Sequence, residues 1–285
     1  MDKDLSYGDD YKYIPATSVN SGSGIEVLSD IYCYTIQIVN ICFVKEQGTD
    51  NFILIDAGMP QSADKIIAIT EERFGKNSRP KAMILTHGHF DHVGAAVDLV
   101  KHWNIPVYAH KLELPYLTGK LNYPEPDPSV EGGVIAKAAS IFPNESIDLG
   151  DSVMELPADG SVPEMPGWKW IHTPGHSPGH ISLFRDTDRF LIAGDAFITV
   201  KQDSLYKVMI QNREVHGPPR YFTTDWNAAK KSVQMLEALK PAIAVTGHGE
   251  PMYEEELAEG LEKLVDTFDQ TAVPDFGRYV DRNQH

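Results

Sequence analysis

The chain has 285 residues, a formal net charge of −16 and a pI near 5.0, with 42% hydrophobic and 23% charged residues. That length is within reach of a single α/β domain with a large core. The acidic balance argues against nucleic acid or another polyanion as a partner and reads as a solubility feature.

The first 24 residues are polar and rich in Gly and Ser, either an ordered arm or a frayed end. The N-terminus has no apolar core of the kind a signal peptide carries, and no apolar run reaches membrane-spanning length. A cytoplasmic protein with no membrane partner is the expectation. Residues 31–44, rich in β-branched and aromatic side chains, predict one or two strands. Cys33 and Cys42 lie in that apolar stretch and read as buried free thiols, with no CxxC spacing. Residues 52–56 predict a strand that stops at Ala57 and Gly58. Residues 62–74 carry apolar residues at helical spacing, with Ser62 as N-cap and Gly75 as the stop. A short strand over 82–86, a helix over 92–103 and a strand over 106–109 follow.

Residues 111–150 break the rhythm with five prolines and read as an insertion near 111–150 in a single domain spanning 1–285, with some helix around 134–141. Beyond it, strands are predicted over 168–172, 181–184, 190–193 and 242–246. Helices are predicted over 225–239, capped by Thr224 or Asp225, and over 253–270, where Glu254, Glu255 and Glu256 suit the positive end of the helix dipole. Loosely alternating strands and helices give the class α/β or α+β.

The densest chemistry sits at His87, Gly88, His89, Phe90, Asp91 and His92, directly after an apolar strand. Neutral imidazole and carboxylate are the ligands that divalent zinc takes. Four ligand-type residues on one short loop cannot all reach one ion, so further ligands are expected elsewhere. His176, Asp195 and His248 each follow an apolar run and a glycine, where a side chain leaves a rigid scaffold.

With these residues in place the chain resembles the metallo-β-lactamase superfamily, whose pattern is HxHxDH followed by a distant His, Asp and His. The resemblance covers His87 to His248, and every ligand position is filled. It implies a four-layer αββα sandwich of two mixed β-sheets with helices outside. It also implies a binuclear centre: His87, His89 and His176 on one metal, Asp91, His92 and His248 on the other, and Asp195 bridging. Two zinc ions are the default, with iron or manganese also compatible. Asp56 resembles a family aspartate that orients a ligand histidine, or is a turn residue. His102, His110, His216 and His285 have no ligand context, and His172 and His180 read as hydrogen-bonded structural groups.

The implied reaction is hydrolysis by a hydroxide held between two metal ions, with Asp91 as the catalytic proton shuttle. Nuclease members suit a basic surface, and zinc β-lactamases usually lack the bridging aspartate and are exported. Di-iron oxidoreductase members place glutamate where His89 stands. Glutathione thioester hydrolases carry a C-terminal helical domain, for which the stretch after His248 is expected to be too short. Opening of a lactone, ester or thioester of a small molecule remains. Quorum-quenching lactonases are similar, except that several place a tyrosine where Ile198 stands; Tyr206 and Tyr221 are alternative tyrosines. Residues 111–150 and 199–224 are expected to wall the pocket, with Tyr116, Leu117, Tyr123 and Phe222 as an apolar lining, a homodimer contact or a cover for the sheet. The rival readings are a single-iron sulfur dioxygenase held by His87, His176 and Asp195, a β-lactam or phosphodiester hydrolase of the same fold, and an inert scaffold.

Overall fold

The computed structural model describes residues 5–14, 18, 20–130, 139, 142–200 and 214–280. The chain divides into two compact units, residues 1–123 with 143–168, and residues 124–142 with 169–285.

The first unit is built on a seven-stranded sheet in chain order: β1 (Gly24–Leu28), β2 (Ile31–Ile36), β3 (Val39–Lys45), β4 (Phe52–Ile55), β5 (Met83–Ile84), β6 (Val107–Ala109) and β7 (Val153–Glu155). Strands β1 to β4 pair antiparallel, and β4 to β7 pair parallel. The parallel steps require crossovers. Helix α1 (Ala63–Phe74) lies between β4 and β5, while α2 (Phe90–Val93) and α3 (Ala96–Trp103) lie between β5 and β6. Cys33 and Cys42 face each other across β2 and β3 as buried free thiols with their sulfurs in contact.

Several local expectations needed correction. Ser62 occupies the N-cap position of α1, but its hydroxyl donates to the Met59 carbonyl and caps no amide. The helix expected over 92–103 is two helices, because Gly94 is pressed against the chain at Gly58 and Met59. Its N–H donates to the Gly58 carbonyl at 2.8 Å, and a Cβ there would meet Pro60 N at 2.2 Å. Strands β1 and β7 are absent from the sequence reading; both expose consecutive residues, without the alternation that marks a half-buried strand. The N-terminal arm is ordered at residues 5–14: Ser6 bridges Asp148, and Asp10 accepts the Asn144 amide.

The second unit holds a five-stranded sheet ordered β12 (Met252–Tyr253), β11 (Ile243–Val245), β10 (Phe190–Ile192), β9 (Ile181–Arg185) and β8 (Trp168–His172). Helices α5 (Trp226–Ala238) and α6 (Glu254–Thr271) pack on it; a single turn, α4 (Leu114–Leu117), precedes them in the first unit. Trp226, Ala229, Val233 and Leu236 line one face of α5, and Leu257, Leu261, Leu264 and Phe268 one face of α6. Burying each such leucine, valine or phenylalanine contributes roughly 1.5–3 kcal/mol. Asp225 settles the cap of α5, accepting the Ala228 amide at 2.9 Å.

The stretch read as an insertion is shared between the units. Residues 111–123 and 143–150 run together in the first, where Leu149 N–H donates to Leu117 and Tyr123 N–H to Asn144. The helix expected around 134–141 lies almost wholly outside the described residues. Among the described residues, no helix is long and apolar enough to cross a membrane.

Candidate metal centre

Parallel neighbours end at the same edge of a sheet, and this places the first group of candidate ligands. Strands β4 and β5 pair Ile55 with Ile84, so Asp56 and Thr86 leave the same edge side by side. Asp56 adopts a left-handed backbone (φ 61°), which aims its carboxylate across that edge. It accepts the Thr86 amide, the Thr86 hydroxyl and His92 Nδ1, each at 2.8 Å. Asp56 is therefore both a turn residue and an orienter of a histidine, and the two alternatives merge.

These bonds fix the histidine tautomers. A carboxylate only accepts, so His92 carries a proton on Nδ1, and the neutral ring has its lone pair on Nε2. The Thr86 hydroxyl spends its proton on Asp56 and so accepts from His87 Nδ1 at 3.1 Å, which leaves the Nε2 lone pair on His87 as well. His87, His89, Asp91 and His92 are all buried. His87 offers ligand atoms within 4.8 Å of His89 and of His92, and Asp91 within 4.8 Å of His92.

The second unit repeats the device. Strands β10 and β11 run parallel with Ile192 opposite Val245. Asp195 and His248, each three residues further on, therefore emerge at one edge. His176 precedes β9, which runs antiparallel to β10 and starts at that same edge. His176 Nε2 lies 3.4 Å and His248 Nε2 3.3 Å from the same oxygen, Asp195 Oδ2. Two ligand atoms about 2.0–2.2 Å from a tetrahedral ion stand about 3.3–3.6 Å apart, so these spacings fit an imidazole and a carboxylate sharing a metal.

Surrounding bonds hold these three. Thr223 donates its hydroxyl to the Pro219 carbonyl and accepts from His176 Nδ1 at 3.2 Å, again leaving the Nε2 lone pair. The Asp195 amide donates to His180 Nε2 at 2.8 Å, so the His180 proton sits on Nδ1 and faces Thr173 Oγ1. His180 thus anchors the Asp195 backbone, the structural role expected of it. His172 Nε2 donates to the Pro178 carbonyl. Gly249 (φ 105°) lies so close to Thr199 that a Cβ would come within 2.3 Å of its hydroxyl, and Thr199 N–H donates to the His248 carbonyl.

The four in the first unit and the three in the second are each gathered at one sheet edge. The remaining histidines are elsewhere engaged: His110 Nδ1 accepts the Leu112 amide, and His216 pairs with Glu214. His285 and Tyr206 lie outside the described residues. Ile198 is buried and bridges His216. Leu117 and Tyr123, expected as pocket lining, are buried inside the first unit, and Tyr221 and Phe222 are buried in the second beside Phe142. Sequence reasoning did not single out Thr223 or Glu113. Thr223 lies 47 residues from the histidine it orients, and a lone threonine carries no local signal.

Residues 34–248 match the family model described as the metallo-beta-lactamase superfamily. The chain is 49% identical over 253 residues to the probable metallo-hydrolase YflN of Bacillus subtilis (strain 168), covering 88% of this chain and 96% of that one. It is 29% identical over 147 residues to the hydroxyacylglutathione hydrolase GloC of Haemophilus influenzae, covering 51% of this chain and 60% of that one. Among solved structures, TTHA1623 in a di-iron-bound form aligns with a TM-score of 0.53 at 27% identity, covering 78% of this chain and 93% of that one.

Proposed function

The chain belongs to the metallo-β-lactamase superfamily, and from that membership and the histidine chemistry above we propose that it is a metal-dependent hydrolase that opens a lactone, ester or thioester of a small molecule. On the family's pattern, two divalent ions would be held by His87, His89 and His176 and by Asp91, His92 and His248, with Asp195 as a ligand to both. The observation that carries the reading is the fixed tautomer of His87, His92 and His176. Each commits Nδ1–H to a buried oxygen, which in the neutral ring leaves the Nε2 lone pair for a metal. The approach of two histidine Nε2 atoms to Asp195 Oδ2, at 3.4 and 3.3 Å, supports its reading as a shared ligand.

Ions bound there supply Lewis acidity and bring the ionisation of water toward neutral pH. The chain's own residues do the rest. Asp56, Thr86 and Thr223 hold the imidazoles so that no reorganisation is needed during reaction. Asp91, buried in the first turn of α2, takes a proton from water on a carboxylate oxygen. It delivers that proton to the leaving oxygen or sulfur as the carbonyl C–O or C–S bond breaks. Zinc is the metal that best matches His and Asp ligands; iron is the alternative that the di-iron neighbour favours. The hydroxyacylglutathione hydrolase among the relatives keeps thioesters in the substrate class.

The test is proton release by zinc-reconstituted and iron-reconstituted protein offered lactones, acyl thioesters, β-lactams and an aryl phosphodiester. Turnover of a lactone, ester or thioester is expected. Turnover confined to the phosphodiester or the β-lactams would overturn the substrate class, and oxygen consumption with a persulfide on one iron would favour the dioxygenase.

A further inference from the structure

Between the ligands His87 and His89 stands Gly88, and its amide is gripped from one side. The Gly88 N–H donates to Glu113 Oε2 and to the Tyr123 hydroxyl, each at 3.0 Å. The Tyr123 hydroxyl in turn donates to Glu113 Oε2. Glu113 is fully buried at 0% exposure, just ahead of α4, in a place where an ionisable group is costly unless its hydrogen bonds are made. The Tyr123 ring lies against His89, centroids 4.5 Å apart, and Tyr116 stacks on its other face at 4.0 Å and 10°. A Cβ on Gly88 would come within 2.6 Å of the Tyr123 hydroxyl, so only glycine allows this approach.

We propose that Glu113 and Tyr123 are positioning residues that set the backbone of the His87–His89 turn and the plane of the His89 ring for metal binding. The inference rests on the metal-site reading above. The argument is geometric. Rotating the Gly88 peptide would swing His87 and His89 together, because they flank it. Three hydrogen bonds converging on one carboxylate oxygen and one phenol oppose that rotation. Bonds to an ionised carboxylate are roughly twice as strong as neutral ones. The ring stack then restricts the remaining torsion of His89. Tyr123, read from the sequence as an apolar lining, a homodimer contact or a cover for the sheet, lies against His89.

The test is zinc affinity by chelator competition, read together with the melting temperatures of the metal-free and zinc-loaded forms. Glu113→Leu removes the acceptor, and zinc affinity is expected to fall by about 10–100-fold, as for other groups that orient ligands. Glu113→Gln keeps an acceptor and is expected to restore most of that loss. Tyr123→Phe keeps the stack and loses the two hydrogen bonds of the hydroxyl while Glu113 still accepts the Gly88 amide, with an expected decrease of about 3–10-fold. The gap in melting temperature between metal-free and loaded forms should shrink in the same order. A packing role alone would lower both melting temperatures equally and leave the affinity alone, and that result would overturn the inference. If Glu113→Leu does not fold, Tyr123→Phe and Glu113→Gln decide: wild-type affinity in both refutes the pair. Wild-type protein that binds no zinc would instead refute the metal-site reading.

Discussion

Replacing Asp56 by Asn separates the two roles of that residue. Asn tolerates the left-handed backbone at φ 61° as Asp does. Its carbonyl oxygen can still accept the Thr86 amide, the bond that ties β4 to β5 at this edge. The amide nitrogen then occupies the Oδ2 position, facing the Thr86 hydroxyl and His92 Nδ1. It is a donor only, so His92 must accept at Nδ1 and carry its proton on Nε2, the nitrogen needed for metal. The fold loses the strengthening from one charge, about 0.5–2 kcal/mol, because hydrogen bonds to charged groups contribute about 1.5–3 against about 1 for neutral ones. Metal affinity falls by about 10–100-fold. Asp56→Ala, by contrast, orphans the Thr86 amide and His92 Nδ1–H in a buried site at about 1–3 kcal/mol each and should lose about 2–6 kcal/mol of stability. The assay pairs urea denaturation of the metal-free protein with chelator competition. If Asp56→Asn matched wild type in metal affinity while folding normally, the assignment of protons on His92 would be wrong.

Gly94→Ala places a Cβ within 2.6 Å of three backbone atoms and should cost at least about 1–3 kcal/mol by overpacking, visible as a lower urea midpoint. Asp225→Ala removes the side-chain cap of α5 and is expected to cost about 1 kcal/mol with no effect on metal content, measured by thermal melting and metal analysis. Burial pushes the Cys42 thiol well above its ordinary range, while the unfolded thiol ionises near about 8.5. The unfolded state then sheds its proton first, so stability is full below about pH 8.5 and declines above it, by up to about 1.4 kcal/mol per pH unit for that group. Burial and the Glu113 charge raise Tyr123 in the same direction, which extends the decline above about pH 10. A urea midpoint constant from pH 8 to 10.5, or rapid labelling of Cys42 by an aromatic disulfide in folded protein, would contradict this.

The candidate ligands were legible because each is attached to a strong local signal. His87, Asp195 and His248 follow apolar strands that end at a glycine or close to one, and parallel pairing turns that repetition into shared sheet edges. Long periodic helices such as α6 were equally plain, since Leu257, Leu261, Leu264 and Phe268 recur at helical spacing. The groups that orient the ligands were less so. Asp56 left two readings open because its turn and its hydrogen bonds both suit aspartate. Glu113, Tyr123 and Thr223 act across 25 to 47 residues of chain on Gly88 and His176, and no local periodicity encodes such a distance. The short edges β1, β7 and β12 hold two to five residues and gain their shape from their neighbours rather than from their own propensity.

The proposed function requires that the chain bind two metal ions and that Asp195 be a ligand to them. Metal stoichiometry of wild-type and Asp195→Ala protein, each saturated with zinc and freed of loose metal, tests it most directly. Two zinc ions per wild-type chain and one or none in the variant, with both proteins folded, is the predicted result. A wild-type chain that retains no metal, or a variant that still retains two, would contradict it.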